Sequence, residues 1–179
     1  MSAAQSSADW PKPGPFYQIA SLDLTHAGKC LQMDATPFVG DREVEGQWVI
    51  AAPCSSSPVS AAQRWEPIHN SDGTAQLRNP ATGKCLSYDR LYGEFEGVGC
   101  GYPDMPGTTG QHDSFTYDSK DKVIKNDHFM KQSGMNLVND RWSGCLDLQE
   151  NGFLSADVCD TTQPSQLFEV RTGTAPSGS

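Results

Sequence analysis

One phrase occurs three times in this chain, and that repetition constrains the fold more than any other feature. It reads Leu22-Asp-Leu-Thr-His-Ala-Gly28-Lys-Cys30-Leu31, then Leu77-Arg-Asn-Pro-Ala-Thr-Gly83-Lys-Cys85-Leu86, then Leu137-Val-Asn-Asp-Arg-Trp-Ser-Gly144-Cys145-Leu146. In each copy a leucine stands eight positions before the cysteine and another follows it. Each copy continues into a short strand-like run ending in a second cysteine: Trp48 to Cys54, Glu94 to Cys100 and Phe153 to Cys159. A polar loop and an amide–x–aromatic signature come next, Gln63-Arg-Trp65 in the first copy and Gln166-Leu-Phe168 in the third. The second copy has the weaker Asp113-Ser-Phe115.

The repeat also selects a disulfide pattern. Six cysteines allow 15 pairings, and one staple within each copy gives Cys30–Cys54, Cys85–Cys100 and Cys145–Cys159. Zinc is the weaker alternative: no Cys-x2-Cys occurs, and His26, His69, His112 and His128 show no i, i+4 pairing. No metal or other cofactor is expected. Paired cysteines imply an oxidising compartment, and so a secreted protein. The first nine residues have neither a cationic start nor an apolar stretch, so a leader would already have been removed or replaced by Met1.

No apolar pattern of 3.6-residue period is sustained over helix length. Short apolar runs alternate instead with Gly, Pro, Asn, Asp and Ser clusters such as Asn70 to Gly73, which reads as many short strands joined by turns. The phrase before each first cysteine looks like a hairpin whose turn uses the permissive backbone of Gly28, Gly83 and Gly144. An all-β fold with pseudo-threefold symmetry follows. Thirteen Lys and Arg against 22 Asp and Glu give a net charge of −9, which argues against a nucleic-acid partner. No apolar run approaches the ~20 residues of a membrane span.

A leucine, Gly-Lys-Cys-Leu, a second cysteine and then Gln-x-Trp resembles the ricin B-type lectin (QxW) repeat, also found in carbohydrate-binding modules of xylanases. The resemblance covers residues 16–171, as three repeats of about 16–67, 68–122 and 123–171. Residues 1–15 form a Pro- and Ser-rich arm and 172–179 a flexible tail. Trp10, unusual in such an arm, is expected to dock on the barrel, with a partner contact as the alternative. The family's fold is the β-trefoil, with four strands per repeat. The resemblance implies that Trp65, Phe115 and Phe168 point inward, beside Leu22, Leu77, Leu137, Leu31, Leu86 and Leu146.

Sugar recognition in that family uses an Asp two residues after the first cysteine, an aromatic two before the second, and a polar residue just before Gln-x-Trp. A carboxylate fixes hydroxyl orientation, and a flat ring matches the C–H face of a galactose-like sugar. Here the three positions are Gln32, Ala52 and Ala62 in the first repeat, and Ser87, Val98 and His112 in the second. In the third they are Asp147, Asp157 and Ser165. Only the third keeps its carboxylate, so glycan contacts are expected mainly there, through Asp147 with Gln166 and Asn151. Trp48 could replace the missing stacking ring of the first repeat, and Gln63 and Gln166 could instead be structural ties.

No nucleophile elbow, zinc-protease helix or phosphate-cradling loop occurs, so no catalysis is expected. The expected function is a secreted lectin-like, carbohydrate-binding module. The alternative is a trefoil with decayed sugar pockets that binds protein, as a toxin subunit or a protease inhibitor. Tyr88, Tyr92, Phe95 and Tyr102 would then supply an aromatic contact patch, or the loops Asp34 to Gln47 and Gly101 to Gln111 an inhibitory one.

Overall fold

The structure, a computed structural model, describes residues 9–12, 15–39, 45–56, 58–71, 73–89, 94–100, 114–126 and 144–173. For 35–39, 45–46, 88–89, 94–96 and 98–99 only the backbone is described. These residues carry twelve strands, four to each repeat. The first repeat holds β1 (Phe16–Ser21), β2 (Lys29–Val39), β3 (Glu45–Pro53) and β4 (Glu66–His69). The second holds β5 (Ala75–Asn79), β6 (Lys84–Asp89), β7 (Glu94–Gly99) and β8 (Thr116–Asp118). The third holds β9 (Val123–Asn126), β10 (Gly144–Leu148), β11 (Leu154–Val158) and β12 (Phe168–Gly173).

Six of them close a barrel. β4 pairs with β5, β8 with β9 and β12 with β1, all antiparallel. Between these ladders the chain is stitched at the amide–x–aromatic positions. Tyr17 and Trp65 exchange both backbone hydrogen bonds, at 2.8 and 2.9 Å, and Ala75 and Phe115 do the same at 2.8 and 2.9 Å. The Phe168 amide donates to Lys122 O at 2.8 Å. The other six strands form the hairpins β2–β3, β6–β7 and β10–β11, which meet one another through β3–β7 and β7–β11. This is a β-trefoil.

Each hairpin is stapled at its base by one of the three expected disulfides, with Cα atoms 4.9, 4.9 and 5.0 Å apart for Cys30–Cys54, Cys85–Cys100 and Cys145–Cys159. Gly28 and Gly83 adopt φ of +74° and +73° at the turns that lead into β2 and β6, a conformation side chains resist. Gly144 differs from expectation. It lies within β10, opposite Asn126 and Val158. Lys29 and Lys84 hold the same register in the other hairpins, so Gly144 occupies their strand position and not that of Gly28 or Gly83.

The core is built of threefold rings. Trp65, Phe115 and Phe168 form one, and Leu31, Leu86 and Leu146 another, all with no exposed surface. Burying each such side chain contributes about 1.5–3 kcal/mol. The expectation for Leu22 is corrected: it is 41% exposed. Ala20 pairs with Cys30, Arg78 with Cys85 and Lys125 with Cys145, so the connections leading to the cysteine differ in length. Strand register, not distance from the cysteine, decides which side chain turns inward. The residues just before these partners, Ile19, Leu77 and Ile124, make the third ring, all fully buried. Leu22 falls beyond β1, where its amide donates to Leu167 O at 3.0 Å. Leu137 lies outside the described residues.

Trp10 docks. Its ring is buried and stacks on Tyr17 with centroids 5.5 Å apart and planes 8° from parallel. Its Nε1 donates to Phe115 O at 3.2 Å, and the Tyr17 hydroxyl donates to Pro11 O at 2.7 Å. Burial raises the Tyr17 phenol to about 12, because the phenolate would lose its hydration and could no longer donate. A raised acid value means that folding favours the neutral phenol. That stabilisation is complete below about pH 10, the unfolded value, and is lost as pH rises through the folded one. Denaturant melts should therefore hold steady to about pH 10 and weaken towards about pH 12, and Tyr17→Phe should flatten that slope. Equal slopes in the two proteins would contradict the assignment.

Candidate functional site

The two clear Gln-x-aromatic signatures fold alike. Each glutamine ends a short 3-10 turn, Ala61–Gln63 or Pro164–Gln166, two residues before the barrel aromatic. Gln63 and Gln166 are both 1% exposed. Nε2 of Gln63 donates to Pro53 O at 2.8 Å and to Gln32 Oε1 at 2.9 Å, while its Oε1 accepts the Ser55 amide at 2.9 Å. Gln166 repeats the set: Nε2 donates to Val158 O at 2.8 Å and to Asp147 Oδ2 at 3.3 Å, and Oε1 accepts the Asp160 amide at 2.8 Å. A buried amide left without these partners would cost about 1–3 kcal/mol. The side chain therefore ties loop to hairpin and fixes the residue at the sugar-contact position, a carboxylate in the third repeat and an amide in the first.

Asp147 lies on β10 opposite Ser155, partly exposed, and lines an open cleft of about 600 Å³. The cleft also takes in Gln149, Glu150 and Asn151 of the β10–β11 turn, and Ser165. Asn151 is exposed and shapes that turn, its Oδ1 accepting the Phe153 amide at 3.0 Å while Gly152 adopts a φ of +88°. Asp160 sits just outside. Its carboxylate accepts the Thr162 hydroxyl at 2.6 Å and the Thr162 amide at 2.9 Å, which hold it below the ordinary value in that order.

The structure thus brings Asp147 and Asn151 to one cleft, with Gln166 behind Asp147. Trp48 is not among the lining residues: its ring meets Phe153 edge-on, with centroids 6.0 Å apart and planes at 83°. Asp157, at the stacking position, is exposed and accepts the Val158 amide at 2.7 Å. Tyr92 and Tyr102 lie outside the described residues, as does His112, and of Tyr88, Phe95 and Val98 only the backbone is described.

Sequence comparison of the repeats gives no hint of the cleft's other wall. That wall is the 3-10 turn Leu24–His26 and its cap Asp23, from the first repeat. Asp23 Oδ1 accepts the Thr25 amide at 3.0 Å, a local N-cap that Asp and Asn supply well. His26, 3% exposed, places Nε2 2.9 Å from Gln149 O and so joins the first repeat to the third.

No protein-family profile matches this chain, and no curated protein does. Solved structures do. A designed 3-fold symmetric protein, ThreeFoil, matches with a TM-score of 0.59 at 17% identity over 88% of this chain and 98% of its own. A non-toxic homologue of type II RIPs from Momordica charantia (bitter gourd), in complex with alpha-methyl-D-galactoside, matches with a TM-score of 0.55 at 14% identity, over 87% of this chain and 47% of its own. The Polyporus squamosus lectin, bound to the epitope Neu5Aca2-6Galb1-4GlcNAc, gives 0.56 at 16%, over 90% and 50%. This chain therefore spans about half of each of the latter two. At these identities the likeness establishes the fold, which lectins share.

Proposed function

We propose that this protein is a lectin-like, carbohydrate-binding module of the ricin B type, contacting its glycan through the third repeat and carrying out no catalysis. The observation that carries the reading is Asp147. It is the one carboxylate kept at the sugar-contact positions of the three repeats, and a buried glutamine braces it at the edge of an open cleft. A carboxylate held this way accepts two ring hydroxyls, and such charge-assisted bonds contribute about 1.5–3 kcal/mol. The sugar-bound structures of the same fold support it at the level of class. With no Phe, Tyr or Trp among the described lining residues, single-site affinity would be weak, near ~1 mM, and avidity would come from multiple copies or linked sites. Three disulfides support secretion, and among the described residues no helix is long and apolar enough to cross a membrane.

Asp147→Asn tests this cleanly, because an amide oxygen still accepts from Gln166 and the fold should survive. Glycan-array signals, followed by titration with the best hit, should weaken by about 10- to 100-fold. Signals unchanged by the substitution would refute the site.

A further inference from the structure

The cleft is a joint between two repeats, and its chemistry is lopsided. Asp147 and Glu150 face it from the third repeat and Asp23 from the first, and no Lys or Arg is among the described lining residues. His26 lines the cleft as well. A carbonyl oxygen can only accept, so Nε2 carries the proton that points at Gln149 O. The ring's Nδ1 is buried and has no hydrogen-bond partner. The hydroxyls of Thr25 and Ser165 serve as donor or acceptor alike. Negative charge is thus in excess, with a carboxylate on both walls, and the complementary ligand is positively charged. A cleft of this size, within the range of about 300–1,000 Å³ that takes drug-sized ligands, is roomy enough for two pyranose rings.

We infer that the cleft takes a saccharide bearing free amino groups, held between Asp147 on the third repeat and Asp23 on the first. The inference rests on the lectin-like reading, since Asp147 must be a sugar contact for it to stand. The first repeat supplies the charge selection. The His26–Gln149 contact holds the two walls at a fixed spacing, so little ordering cost falls on the ligand. Glycans carrying carboxylates or sulfates are repelled by the same field.

The test titrates the full chain, by calorimetry or NMR at about pH 6, with the β1-4 disaccharide of glucosamine and with its N,N′-diacetyl form. At that pH the amines are protonated and the carboxylates ionised. The free-amine sugar should bind about fivefold tighter at low salt, and the advantage should shrink towards parity at about 0.5 M salt. Asp23→Asn keeps the N-cap. It should remove much of the amine preference, read as the ratio of the two affinities. Equal affinity for the two sugars, or a preference indifferent to Asp23→Asn, overturns the inference. If Asp147→Asn then weakens both sugars alike, the lectin reading survives alone. If neither sugar binds and the array ignores Asp147→Asn, both readings fall.

Discussion

Reducing all three disulfides under otherwise native conditions is expected to unfold the chain. The bridges close segments with sequence separations of 24, 15 and 14. Loops of that length restrict the unfolded ensemble by about 3 kcal/mol each. Together they approach ~9 kcal/mol, against a net stability of about 5–15 kcal/mol for a typical domain. Cys30, Cys85 and Cys145 have no exposed surface, whereas Cys100 is exposed. Limiting reductant should therefore open Cys85–Cys100 first, with the others following as the molecule loosens. Near-UV circular dichroism with mass-spectrometric thiol counting would follow both events. A reduced chain that melts within a few degrees of the oxidised one would show that the core holds the lobes without help.

Trp65→Ala is expected to cost about 3–5 kcal/mol, the range for emptying a large aromatic from a packed core. Trp65 is fully buried in the aromatic ring of the barrel, and its Nε1 donates to Leu31 O at 3.2 Å. Trp65→Phe isolates the two contributions. Phenylalanine already fills the equivalent place in the other repeats, so the cavity stays largely filled while the Leu31 carbonyl loses a donor. That variant should cost only about 1–2 kcal/mol. Chemical denaturation gives both values, and a phenylalanine variant as damaged as the alanine one would mean that the lobes are not interchangeable at this position.

What the sequence disclosed was local to one lobe. The half-cystines, the strand-like runs that end on them and the aromatic after the glutamine lie in short segments whose spacing is fixed by a hairpin or a single turn. The leucine eight before each cysteine looked equally regular, yet Leu22 is at the surface. The loop between it and the cysteine is free to vary, and the true equivalents, Ile19, Leu77 and Ile124, sit at three different distances. The site divides the same way. Asp147 was legible because it follows its cysteine by two positions. Gln166 was open to two readings, as a sugar contact and as a tie, and its side chain is buried behind Asp147. The opposing wall was hidden because His26 and Gln149 are 123 residues apart, and comparing repeats with one another cannot reveal what lies between them.

The ladder joining β1 to β12 sets Phe16 opposite Gly173. The two ends of the trefoil thus lie side by side, and barrel closure does not depend on which lobe comes first along the chain. Opening the backbone between two lobes and linking those ends, through a connection that leaves Trp10 seated, should yield a circular permutant with every pairing intact. A rearranged gene of that kind would bring the Asp23 turn and the Asp147 strand together in neighbouring sequence while leaving the same pocket between them.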